Sequence, residues 1–261
     1  MGIKLHTAEQ FIADLKVLGI KSGDTVFMHS SYKALGGIEG GAKTVFSSIF
    51  ELLGEKGTLI LPAFSYDTVG YENPHFYLQD TPSCIGYLPE YFRTQVDGVI
   101  RSMHATHSCC LKGFKASKMA LNHELDLTPV GENSPISKLP LMDGKILMLG
   151  CNPNHNTALH GVEEIVNAPY IFDGDKKIDY FLHNGDKTIN MKAFRHSFLK
   201  NGIFYDQKYS RVIDLLSKDE YSFSKVLDAD CYLMSAQAVW QKAKEKLLND
   251  PYYFVDAVNQ E

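Results

Sequence analysis

Short apolar runs recur along the chain and alternate with stretches of helical spacing. Thr7-Ala8-Glu9-Gln10 has the form of a capping box, in which Thr7 accepts from the Gln10 amide and Gln10 reaches back. Phe11, Leu15, Val17 and Leu18 then supply the apolar face of a first helix ending near Gly19. Residues 24–28 read as a short buried strand, and 43–53 as a helix. Residues 57–62 form a second strand, stopped by Pro62. A helix over 85–93, a strand over 108–111 and the clearest strand of all, 145–150, follow. The last leads to a helix opening near Asn156 or Thr157. Between Phe64 and Pro82 the chain is aromatic and polar without a period, which predicts a long loop of the kind that usually carries function.

The last third changes character. Residues 179–194 read as a hairpin turned by Asn184-Gly185. A helix over 209–216, a strand over 221–227 and a terminal helix over 235–248 complete the chain. Buried strands alternating with helices predict an α/β fold: a layered, largely parallel central sheet flanked by helices. A smaller antiparallel subregion is expected at about 175–230. No linker composition and no internal repeat divides residues 1–261, so one domain is expected.

Composition narrows the function. Of 261 residues, 44% are hydrophobic and 22% charged, which excludes wholesale disorder. Glu9, Asp14 and Lys16 interrupt the first apolar stretch, against a signal peptide, and no apolar run suits a membrane span; the expected location is the cytoplasm. The five cysteines show no CxxC spacing, against a zinc ribbon or disulfide framework. A net charge of −5 with no basic stripe argues against a nucleic-acid partner.

Three segments carry candidate chemistry. His29-Ser30-Ser31 with Gly36-Gly37 and Gly40-Gly41 follows a strand, at the sheet edge where open α/β folds bind ligands. It is neither a P-loop nor GxGxxG, and it also reads as a plain strand–turn–helix connection. Arg101-Ser102-Met103-His104-Ala105-Thr106-His107-Ser108 offers cation and imidazoles for a phosphate or a metal, or serves only structure. His104 and His107, three apart on extended chain, point to opposite faces, which disfavours shared ligation. In Asn156-Thr157-Ala158-Leu159-His160-Gly161-Val162-Glu163, the carboxylate of Glu163 shares a helical face with His160 and supports an imidazole that takes up a proton. HExxH is absent, and no third metal ligand is evident from spacing.

Together these segments resemble the aminoglycoside 3-N-acetyltransferase family, whose fold is distinct from that of the GNAT acetyltransferases. The resemblance rests on Gly23-Asp24, His29-Ser30-Ser31, Leu35-Gly36, Gly40-Gly41, Gly54, Gly57-Thr58, Leu61-Pro62, Thr81-Pro82-Ser83, Gly86, Arg101-Ser102-x-His104, Ser134-Pro135 and Asn156-Thr157-x-x-His160-x-x-Glu163. These cover roughly residues 8 to 170 in order; the C-terminal third fits more loosely. The resemblance implies acetyl transfer from acetyl-CoA, with no metal, to an amine on a sugar. It makes His160 the general base and Glu163 its companion. It places the acetyl-CoA site on His29, Ser30, Ser31, Lys33, Leu35, Gly36 and Gly37, together with Arg101, Ser102, His107 and Ser108. Ala105 departs from the proline common in the family, which is expected to loosen that loop.

The donor thioester is already electrophilic, so direct transfer in a ternary complex is expected, with an oxyanion donor from the amides of residues 30–37 or from Thr157. Buried Cys109 or Cys110 would be needed for a covalent rival. For the acceptor, Phe64, Tyr66 and Asp67, with Tyr71, Glu72 and Tyr77, suit stacking on a sugar and attraction of a cation. An aminoglycoside and a nucleotide-linked amino sugar both remain open. The second needs cations, for which Lys112, Lys115, Arg195 and His196 are sources. From other classes, a non-catalytic CoA- or sugar-binding module and a metal-dependent hydrolase, the latter suggested by ten histidines, are the alternatives. A homo-oligomer is compatible with the sequence and is not specified by it.

Overall fold

The computed structural model describes residues 5–258. The chain opens with α1 (Ala8–Leu18), β1 (Thr25–Ser30), α2 (Gly41–Leu53), β2 (Thr58–Pro62) and a short β3 (His75–Tyr77). Next come α3 (Tyr87–Gln95), β4 (Ile100–Arg101), β5 (Cys109–Gly113), α4 (Ala116–Ala120), α5 (Pro135–Lys138), β6 (Lys145–Leu149) and α6 (Leu159–Ile165). The rest holds β7 (Ile178–Asn184), β8 (Lys187–Ala193), β9 (Leu199–Lys200), β10 (Ile203–Gln207), β11 (Tyr221–Val226), β12 (Ala229–Ser235), α7 (Ala236–Asn249) and β13 (Val255–Val258).

Seven strands form the central sheet in the order β11-β12-β6-β1-β2-β5-β4. β6, β1 and β2 pair in parallel, with Phe27 opposite both Ile146 and Ile60. β12 and β5 add antiparallel on either side, and β11 and β4 reverse again at the edges. The strands β11, β6, β1, β2 and β4 therefore run one way, as the expected largely parallel sheet requires.

Side-chain alternation explains why the central strands read as unbroken apolar runs. Val26, Met28, Leu59, Leu61, Leu147 and Leu149 pack in one layer with α1, α2 and α3. Phe27, Ile60, Ile146 and Met148 face the opposite layer, with α4, α6 and α7. His29 shares the parity of Phe27, and their rings meet edge to face at 4.8 Å. Alternation thus delivers this imidazole to the α6 side of the sheet.

The first helix is capped as expected at one of its two points: Thr7 Oγ1 accepts from the Gln10 amide at 3.3 Å. The Gln10 side chain instead meets His6 Nδ1 at 3.2 Å, so the reciprocal half of the box is not made. The C-terminal region differs more. The β7–β8 hairpin pairs with β3, so the stretch read as structureless contributes a strand, while β9, β10 and β13 make a separate antiparallel sheet. β11 leaves the antiparallel subregion altogether, because β12 carries it onto the edge of the central sheet. Residues Tyr209–Leu215 form a 3₁₀ rather than an α-helix. No helix among the described residues is long and apolar enough to cross a membrane.

Candidate functional site

At the carboxyl ends of β6, β1 and β2 lies a cleft of about 620 Å³. Its entrance from β6 is set by Gly150, at φ 70°. A Cβ there would come within 3.0–3.1 Å of Ala34 Cβ, Ala229 Cβ and the Ser31 carbonyl, so the chain turns where only glycine sits without strain. A 3₁₀ turn, Pro153–His155, follows, and the Asn156 side chain accepts from the Ala158 amide ahead of α6. His160, the second residue of α6, is thereby held on the cleft wall, 7% exposed.

Behind His160 stands a network that the sequence only half revealed. Glu163 is fully buried, and its Oε2 lies 3.3 Å from His160 Nδ1. Tyr209 Oη comes closer to the imidazole, 2.9 Å from Nδ1, and donates to Glu163 Oε2 at 2.7 Å. Because the phenol proton goes to the carboxylate, Nδ1–H donates to the phenol oxygen. That arrangement fixes the tautomer and leaves the Nε2 lone pair for the cleft; Nε2 has no hydrogen-bond partner among the described residues. Tyr170 Oη donates to Glu163 Oε1 at 2.7 Å, so both carboxylate oxygens are engaged. Burial beside Glu163 pushes the Tyr209 hydroxyl well above its ordinary range, which keeps it a donor.

Two further imidazoles border His160. One ring nitrogen each of His107, His160 and His196 lie within 4.8 Å of one another. The two neighbouring rings are each braced at one nitrogen: His107 Nδ1 by Thr106 Oγ1 at 2.9 Å, and His196 Nε2 by Glu164 Oε1 at 2.6 Å. Burial holds His107 and His196 well below the ordinary histidine range, so both rings are neutral at physiological pH. The same cause raises the Glu164 carboxyl to about 7. Neutral, braced imidazoles are the form in which histidine ligates a transition metal. Motif spacing alone carries no hint of this third ring.

The expected site residues divide into two groups. His29, Ser30, Ser31, Tyr66, His107, Thr157 and His160 converge on the cleft. His29 Nε2 lies 3.4 Å from Thr157 Oγ1, and burial lowers this histidine to about 3. The others are not among the cleft-lining residues. Leu35 is in the core, Lys33 is exposed on the turn after β1, and a Cβ at Gly36 would collide with the Asp228 carboxylate. Gly36 and Gly37 have φ of 80° and 102°, a conformational reason for glycine that needs no ligand. The amides of Ser31, Ala34 and Gly36 already donate to Leu149, Ser31 and Lys33 carbonyls, which removes them as oxyanion donors.

Arg101 is a structural staple. Its guanidinium donates to the carbonyls of Leu78, Thr81 and Ala63 and to Ser108 Oγ, while Ser108 Oγ donates to Ala63 O. Burial lowers it to about 10. Ser102 Oγ accepts from the Cys109 amide and meets His123 Nδ1 at 2.9 Å, again inside the fold. Phe64 is fully buried, with its ring centroid 4.4 Å from His107, so it supports that imidazole. Asp67 is exposed outside the cleft, and Tyr77 stacks on His183. Around Ala105, the expected loosening is countered by His104 Nδ1 accepting the Thr106 and His107 amides and by Ser65 Oγ donating to Ala105 O at 2.6 Å.

Cys109 and Cys110 are fully buried in β5, and burial raises Cys110 to about 12 and holds Cys109 well above the ordinary thiol range, so both remain thiols. Lys112 is bound to the Asp97 carbonyl, and Lys115 to Thr25 Oγ1 at the opposite end of β1. Arg195 and His196, by contrast, line the cleft. Sequence reasoning missed Tyr209, Tyr170 and Phe198, the last on the cleft wall with its ring centroid 5.5 Å from that of His160. All three lie at or beyond residue 170, in the part of the chain that carries no recognised motif.

The model for the aminoglycoside 3-N-acetyltransferase family matches residues 27–248. Aminoglycoside N(3)-acetyltransferase VII of Streptomyces paromomycinus is 31% identical over 191 residues, 67% of this chain and 64% of the relative, so just under two thirds of that relative is spanned. The SPbeta prophage-derived aminoglycoside N(3')-acetyltransferase-like protein YokD of Bacillus subtilis is 29% identical over 199 residues, 66% of this chain and 72% of the relative. Among solved structures, AAC-IIIb in binary complex with CoASH superposes with a TM-score of 0.79 at 24% identity, covering 94% of this chain and 97% of that one, a likeness of fold. With the matched region running from β1 into α7 and so containing the whole cleft, the chain belongs to the aminoglycoside 3-N-acetyltransferase family.

Proposed function

We propose that this protein transfers the acetyl group of acetyl-CoA directly to an amino group on an amino sugar, with His160 as general base. The observation that carries the proposal is the Glu163–Tyr209–His160 chain, which leaves Nε2 open at the carboxyl edge of a parallel sheet. Family membership, relatives named as aminoglycoside N(3)-acetyltransferases and a neighbour of the same fold solved in complex with CoASH support the donor and the reaction class.

In this reading a neutral amine attacks the thioester carbonyl, and its proton passes to His160 Nε2. Tyr209 and Glu163 are positioning residues: they hold the ring and offset the imidazolium charge. Thr157, on the cleft wall beside neutral His29, is the remaining side-chain donor for the oxyanion. Collapse of the tetrahedral intermediate expels the CoA thiolate. Closeness of donor and acceptor contributes up to about 7–11 kcal/mol, more than proton transfer alone.

The His107–His160–His196 trio favours one second reading, a metal-dependent hydrolase. Thiol release from acetyl-CoA against a panel of amino sugars, with and without chelator, separates the two. Amine-dependent release unaffected by chelator is expected. Activity lost to chelator and restored by zinc would defeat the transferase proposal.

A further inference from the structure

The cleft wall contains no aspartate and no glutamate among the described residues. Of the carboxylates that border it, Glu163 and Glu164 stand behind the wall, and Asp67 is exposed outside it, beside Tyr66 and Cys84. Glu163 is fully buried between His160, Tyr209 and Tyr170, while Glu164 Oε1 accepts from the Val130 amide and meets His196. The wall does contain a cation. Arg195 uses one of its N–H groups on the Tyr66 carbonyl, at 2.8 Å, and forms no ion pair with a carboxylate among the described residues.

That guanidinium is seated rather than draped over the surface. A Cβ at Gly70 would lie 2.8 Å from Arg195 Nη1, so the glycine makes room for it. Drawing several ammonium groups out of water into such a cleft sets them against a fixed cation, with no carboxylate in the wall itself to pair with. An acceptor carrying a phosphate or carboxylate meets the opposite situation, because a guanidinium fork matches either anion.

Resting on the acetyltransferase reading, we propose that the acceptor is an anionic amino sugar whose phosphate or carboxylate binds Arg195, and not a polycation. The test compares wild type with R195M and R195K. The amines are glucosamine, glucosamine 6-phosphate, 2-amino-2-deoxyglucuronic acid, a nucleotide-linked amino sugar and kanamycin. Thiol release gives kcat/KM for each, and calorimetry in the presence of CoA gives binding. The phosphate and carboxylate arms decide between the two anions.

In wild type, at least one anionic amine is expected to exceed neutral glucosamine by about 10- to 100-fold, the range for a hydrogen-bonded charge. R195M should erase that preference with KM for acetyl-CoA unchanged, and R195K should restore part of it. Kanamycin turned over as efficiently as the best anionic amine, or no anionic amine preferred, would overturn the inference while leaving the transferase reading intact. A rise in KM for acetyl-CoA in R195M, with acceptor preference kept, would also overturn it by assigning Arg195 to the donor. Arg195-dependent binding of anionic amines without turnover would support the inference and count against the transferase reading.

Discussion

The Tyr209 hydroxyl lies 2.9 Å from His160 Nδ1, closer than the carboxylate of Glu163 at 3.3 Å, although Glu163 is three residues away in sequence and Tyr209 forty-nine. The phenol therefore passes the influence of the buried carboxylate to the imidazole. Y209F leaves Nδ1 with only the longer contact and frees the ring to change tautomer. We expect kcat to fall by about 10-fold, the cost of one hydrogen bond to a group that becomes charged. The pH–rate profile should also shift, a change that altered packing alone does not produce.

H160A removes the proton acceptor itself. A loss of about 10²- to 10⁴-fold in turnover is expected, with KM for acetyl-CoA changed by little. Near-normal turnover in this variant would end the assignment of the base.

Arg101 serves the fold. R101M strands the carbonyls of Leu78, Thr81 and Ala63 inside the protein, a change expected to cost about 2–4 kcal/mol in denaturant unfolding. KM for acetyl-CoA should stay near the wild-type value. A large rise in that KM with unchanged stability would instead return Arg101 to the donor site.

Acid should destabilise the protein. Burial holds His29 and His104 at about 3 in the folded state, against about 6.5 when unfolded. Between those values the unfolded chain binds more protons, so each imidazole removes about 1.4 kcal/mol per pH unit as pH falls below 6.5. Glu164, raised to about 7, acts with the opposite sign: its folded form keeps a proton that the unfolded one loses, so its share of stability declines as pH rises from about 4.5 to 7. E164Q should flatten that upper limb. Chemical denaturation across pH 4–8 reads both slopes, and a flat curve below 6.5 would contradict the burial assigned to these histidines.

Zinc should inhibit. The imidazoles of His107, His160 and His196 are close enough to share one cation, and its binding would occupy the proposed base. Micromolar zinc is expected to abolish thiol release reversibly in wild type, and H196A should blunt the effect. Equal sensitivity in both proteins would show that zinc acts elsewhere.

The central strands and His160 were legible because alternation and spacing are local properties. Phe27 and His29 reach the same layer through strand parity, and Glu163 meets His160 through helical spacing. Tyr209 and His196 were not readable in the same way. They arrive through a 3₁₀ turn and an irregular connection whose placement depends on packing across the whole fold. Arg101 shows a related limit: a cation in a recognisable motif looks the same in sequence whether it awaits a phosphate or holds three carbonyls.

Glu163 and Glu164 are consecutive on α6, yet one reaches Tyr209 and Tyr170 while the other meets His196. All three of those partners lie at or beyond residue 170, where the recognisable motif series ends. A fragment stopping short of residue 170 would keep His160 and Glu163 and would strip away every hydrogen bond that Tyr170, Tyr209 and His196 make to this pair of glutamates. Substitutions in this tail can thus retune the same imidazole without altering a single residue from Asn156 to Glu163.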